Sequence, residues 1–107
     1  MRYKHLLHKE METEGITLRE LARKLKIPPP SLHNYLHQDT APRRDALEKM
    51  AIYFREPISL LLSDEDDLTA RIITLVHSMD QDQKKEILGH IVNFLGHIWA
   101  KSSPDKN

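Results

Sequence analysis

The chain predicts an all-α fold, and three observations carry that prediction. Apolar residues recur at helical spacing over long stretches of its 107 residues. Six prolines and three glycines, set against those periodicities, leave little room for a sheet. Two capping boxes, Thr17 with Glu20 and Asp80 with Gln83, mark helix starts. A hydrophobic content of 39% is ample for a core, and the length fits one domain or one small domain with an appendage.

A first helix is expected from about Arg2 to Glu14, with Tyr3, Leu6, Leu7 and Met11 at helical spacing and Gly15 as its stop. Thr17 caps a second helix, whose buried stripe is Leu18, Leu21, Ala22 and Leu25. Ala22 is small where two helices must cross closely. Lys26 and Ile27 form a turn. Proline fits a helix cap and first turn, where the amide hydrogens have no intrahelical partner. Pro28-Pro29-Pro30 therefore opens a third helix from about Pro29 to His37, with Leu32, Tyr35 and Leu36 inward. Residues 38–42 are a loop. A fourth helix runs from about Arg44 to Phe54 on Leu47, Met50, Ala51 and Phe54, and Pro57 starts a short fifth ending near Leu62. The acidic run 63–67 is the expected boundary. A sixth helix from about Asp67 to Met79 carries Leu68, Ile72, Leu75, Val76 and Met79 on one side, and a seventh runs from Asp80 to about Ala100.

The segment Gly15–Leu36 has two short helices joined by a tight turn, the second with small and polar groups on its outer face. That is the layout of a helix-turn-helix, which sets one helix in the DNA major groove. Leu7, Met11, Gly15-Ile16-Thr17, Glu20-Leu21-Ala22, Leu25-Lys26-Ile27, Ser31-Leu32, Tyr35-Leu36, Pro42, Leu47, Met50-Ala51, Phe54 and Leu61-Leu62 keep their spacing without a gap. On those residues, a little over half of the chain resembles the phage Cro/repressor-type, or XRE-like, DNA-binding family. The resemblance implies a five-helix lambda-repressor-like bundle, here with a two-helix C-terminal extension. The chain departs from the family pattern at Lys26 and Gln38, where glycine is common, and at Pro28–Pro30, where a Ser or Thr cap is usual. Lys26 must then accept a positive φ, or the turn must differ.

The resemblance places Pro29, Pro30, Ser31, His33, Asn34 and His37 on the face that reads bases. A carboxamide pairs bidentately with adenine N6 and N7, which makes Asn34 the foremost reader. His33 and Ser31 can bond a base edge or a phosphate, and the proline rings can pack on thymine methyls, so A·T recognition is expected near the helix start. Thr17, Arg19, Arg43, Arg44 and Lys49 are the expected phosphate contacts, with Arg23 a further candidate; such contacts position without reading sequence.

Net charge is zero, but residues 1–62 carry eleven Lys/Arg against eight Asp/Glu and the remainder five against eight, so +3 and −3 cancel. The absence of cysteine excludes disulfides, thiolate metal sites and cysteine nucleophiles. No apolar run approaches the length of a membrane span, and the N-terminus lacks the apolar core of a signal peptide. A cytoplasmic protein is expected. Seven histidines include His33 and His37 on one helix face, His90 and His97 on another, and the close pair His5 and His8. A protein-built metal site takes three or four converging ligands, so no metal or cofactor is expected. Protonation of His33 and His37 would still add cations facing phosphate below about pH 6.5. No phosphate loop or nucleophile motif is present, so no enzyme is expected.

The seventh helix carries more apolar surface than a lone surface helix takes. Ile87, Ile91, Phe94, Leu95, Ile98 and Trp99 are its expected dimerisation residues, widened by Leu88 and Val92, and Gly89 and Gly96 allow close approach. The organisation expected is a DNA-binding domain at residues 1–62, a helical dimerisation extension at 66–101 and a flexible tail at 102–107. The function expected is a sequence-specific transcriptional regulator, a dimeric repressor of prophage type on an inverted repeat. The alternatives are an antitoxin-type autorepressor that holds a toxin through its C-terminal helices, and an adaptor that binds protein only.

Overall fold

The computed structural model describes residues 1–102. Seven α-helices lie within them: α1 (Arg2–Glu14), α2 (Leu18–Leu25), α3 (Pro29–His37), α4 (Arg44–Phe54), α5 (Ile58–Leu61), α6 (Asp67–His77) and α7 (Gln81–Ser102). The fold is all-α, as the periodicities predict, and no strand occurs among the described residues. Residues 103–107, most of the expected tail, lie outside the described residues.

Helix ends follow local chemistry. Gly15 ends α1 at φ 62°, a left-handed conformation open to a residue without Cβ. Lys26 ends α2 in the same region at φ 61°, and its amide donates to the carbonyls of Ala22 and Arg23. The chain thus keeps the tight turn of the family with a lysine in the glycine position. Gln38 leaves α3 extended at φ −126°, so no glycine is needed there. Arg55 ends α4 at φ 57°, which its sequence does not announce. α6 stops two residues short of Met79, because the amides of Ser78 and Met79 turn back to Leu75 and Val76 in a tightened last turn.

Two compact units divide within α6, the first spanning Met1–Arg71 and the second starting at Ile72. In the first, each of α1–α5 supplies one fully buried large side chain: Leu7, Leu21, Leu32, Met50 and Leu61. Tyr3, Leu6, Ala22, Leu25, Ile27, Tyr35 and Leu36 close around them. Ala22 has no exposed surface, as a close crossing of α2 and α3 requires.

Arg2 is the buried cation of this unit, 5% exposed. Its guanidinium donates to both Glu56 carboxylate oxygens at 2.7 Å, to Asp67 Oδ1 at 2.9 Å and to the Glu65 carbonyl at 3.2 Å. Asp67 also meets Lys9 at 3.1 Å and His5 at 3.3 Å. Lys9, then Arg2, then His5 hold its carboxyl well below the usual carboxylate range. These bonds, with fully buried Ala70, fix the first turn of α6 against α1.

In the second unit the Asp80–Gln83 capping box forms as the sequence predicts: Gln83 N donates to Asp80 Oδ1 at 2.8 Å and Asp80 N to Gln83 Oε1 at 3.0 Å. Of twelve exposed large hydrophobics among the described residues, nine lie on α6 and α7, so apolar surface is concentrated there. Leu68, Ile72 and Leu75, half of the expected α6 stripe, are among the nine.

Candidate nucleic-acid interface

The site is built on α3. Its buried residues Leu32, Tyr35 and Leu36 anchor it, mainly against α2. Pro30, His33, Asn34 and His37 are all exposed, and their i, i+3, i+4, i+7 spacing makes one outer stripe. Pro29 and Ser31 are half-buried at its start. The six residues expected to read bases therefore lie along one helix, four of them fully on its open face.

Pro28 serves as N-cap at ψ 136°, and its carbonyl accepts from Leu32 N at 3.1 Å. No side chain caps this helix. Three prolines give the helix a rigid start but remove amide donors from the end that meets DNA first. The rings of His33 and His37 lie 4.5 Å apart, centre to centre, with planes inclined by 50°.

Cations flank the start of α3 on both sides. On one side Arg19, Arg23 and Lys26 line an open groove of about 500 Å³ together with Pro28 and Pro29. On the other a depression of about 120 Å³ lies between α3 and α4, lined by Ser31, Arg43, Lys49, Asp45 and Tyr35. Arg44 stands exposed beside Arg43 and lies 3.8 Å from Glu48, a pair of little energetic weight at that exposure. A helix in the major groove runs between two phosphate strands, and cations on both flanks complement that geometry.

The structure gives two of the expected phosphate contacts other work. Thr17 N and Oγ1 both donate to Glu20 Oε1 at 3.0 Å, while Glu20 N donates to Thr17 Oγ1 at 3.2 Å. Both donors of Thr17 thus serve the capping box, and these bonds lower the Glu20 carboxyl's pKa. Lys49 Nζ donates to the Lys26 carbonyl at 2.7 Å, which ties α4 to the turn. Two of its three protons remain for phosphate. Lys26 itself is the groove cation that the sequence reading missed. Its signal was present: Arg19, Arg23 and Lys26 stand at i, i+4, i+7 and so share one face.

A helix-turn-helix family model matches residues 7–61, which takes in α1 through α5 and half of the chain. The chain belongs to the XRE-type helix-turn-helix family. No curated protein and no solved structure shows a match to it. The family is one of DNA-binding regulators, and this XRE-type domain makes the chain a DNA-binding transcription regulator. Among the described residues no helix is long and apolar enough to cross a membrane, and no group of three or more His, Asp or Glu side chains is placed to hold a metal ion.

Proposed function

We propose that this XRE-type protein is a dimeric transcriptional repressor that binds an inverted repeat in the cytoplasm. The observation that carries the reading is the exposed stripe of Pro30, His33, Asn34 and His37 between two cationic flanks, on a domain of this family. Asn34 reads adenine, while His33 and Ser31 contribute donors near the helix start. Arg43, Arg44, Arg19 and Lys49 take phosphates, and Arg23 and Lys26 extend that contact along the groove. Residues 1–62 then bind DNA and residues 66–101 dimerise.

Support for the dimer comes from α7. Leu88, Val92, Phe94 and Trp99 are each 59–64% exposed, and Ile91 and Ile98 are also open, too much apolar surface for one solvated helix. A two-fold axis through such an interface sets two copies of α3 on half-sites about 34 Å apart. Selection of bound genomic fragments by the purified protein at physiological salt tests the whole reading. Enrichment of a short inverted repeat upholds it. Enrichment of an unpaired half-site removes the dimer, and no enrichment by a folded protein removes the DNA reading. A stoichiometric partner that co-purifies on α7 turns the function toward the antitoxin type.

A further inference from the structure

The outer face of α3 carries chemistry that base reading leaves unused. His33 and His37 are four residues apart, both exposed, with ring centres 4.5 Å apart. We propose that these two imidazoles form a site for one nickel(II)- or copper(II)-class ion, whose coordination is completed by purine N7 of the bound DNA.

Spacing comes first. Residues at i and i+4 stand over one another on a helix, so two imidazoles reach a common point with no backbone movement. Distance comes second. A metal–nitrogen bond of about 2.0–2.1 Å puts the metal about 3.2 Å from each ring centre. Two rings at a right angle about the metal then sit about 4.5 Å apart, and two at the tetrahedral angle about 5.2 Å. The observed 4.5 Å matches the right-angle arrangement. Tetragonal nitrogen sites of that kind favour copper(II) and nickel(II) over zinc(II), and over magnesium and calcium, which prefer oxygen.

Two ligands fall short of a site closed by protein alone, and no third His, Asp or Glu joins them among the described residues. The face is open, so the remaining positions are free for another molecule. It is also the face that the proposed function sets in the major groove, where purine N7 is the exposed acceptor. This inference rests on that placement of α3. A bound ion then does two things: it adds two positive charges between the phosphate strands, and it bonds a purine next to the base that Asn34 reads.

The test uses the untagged full chain in a buffer that does not chelate. Calorimetric titration with nickel chloride alone should show one ion per chain at micromolar affinity. His33→Gln and His37→Gln, each checked for helicity by circular dichroism, should both lose that uptake, and His97→Gln should keep it. Nickel should then raise affinity for the selected duplex in the parent protein and in neither α3 variant. Replacing the purines of the site by 7-deaza analogues should abolish the gain. Absence of nickel uptake, or uptake kept by His37→Gln, overturns the site. A gain that survives the 7-deaza duplex overturns N7 as the DNA ligand. DNA binding indifferent to nickel sinks the coupling and leaves the DNA reading intact, whereas nickel uptake without any DNA binding sinks the DNA reading and, with it, the completion by DNA.

Discussion

Asn34 and Arg43 should fail in different ways when truncated. Asn34→Ala removes a carboxamide that only one base satisfies, so preference among sites should relax by about 1–3 kcal/mol while bulk DNA is bound as before. Arg43→Ala removes a phosphate contact, so all sequences should weaken together and the salt slope should fall by about one. Binding isotherms on specific and random duplexes at several salt concentrations separate the two, and equal small effects would sink both roles. Asp67 belongs to the same scale. Its pKa is lowered in the fold, so its contribution is present above the ordinary carboxylate value near 4 and is lost as pH falls through the lower folded value. Asp67→Asn should therefore be less stable than the parent in urea at pH 7, and the gap should close as pH drops below about 4. A gap that persists at pH 2 would contradict it. The exposed stripe of α3 was legible from spacing alone, since outer and inner positions alternate with the helical period. Arg2 was not legible. Its partners Glu56 and Asp67 are more than fifty residues away, and a long-range ion pair leaves no local pattern in a sequence.

Helices were the most legible level, because each boundary has a local cause. The limits of α1, α3 and α4 agree with the sequence reading to the residue, since a glycine, a proline run or a pre-helical loop marks each. The ends of α6 and α7 were less legible, because no glycine or proline fixes them and a tightened turn decides the end of α6. The Thr17–Glu20 box now reads as the device that starts α2 rather than as a free phosphate donor. Thr17→Ala should cost about 1 kcal/mol of stability by denaturant unfolding. If Thr17 serves the cap alone, the variant's DNA affinity, measured where it is fully folded, should stay within about twofold of the parent, a shift of less than 0.5 kcal/mol. A larger loss would return a phosphate contact to Thr17.

At the scale of the whole molecule, the cancelling charges of the two halves make sense as a division of labour. The cations gather around α3, and the C-terminal part offers apolar surface instead. Ile91→Asp with Ile98→Asp places two charges in the proposed interface and should yield a monomer by light scattering. Circular dichroism should show the first unit still folded, and affinity for an inverted repeat should drop to that for a half-site. A dimer in that variant moves the interface off this stripe. Sequence patterning could give the width of the stripe but not what covers it, because periodicity records that a face is apolar and says nothing of its partner.

Lys26 and Arg55 both hold a left-handed backbone that glycine adopts at lower cost. Heat selection on a mutant library would feel the two positions alike, since glycine at either should raise the melting temperature by a few degrees, worth about 0.5–1 kcal/mol. They differ in what the side chain does: Lys26 lines the groove beside α3, and Arg55 does not. A library screened for heat tolerance alone should converge on glycine at both. One screened for heat tolerance and operator occupancy together should fix glycine at 55 and keep lysine at 26, so that the two populations record, letter by letter, where the fold yields to its task.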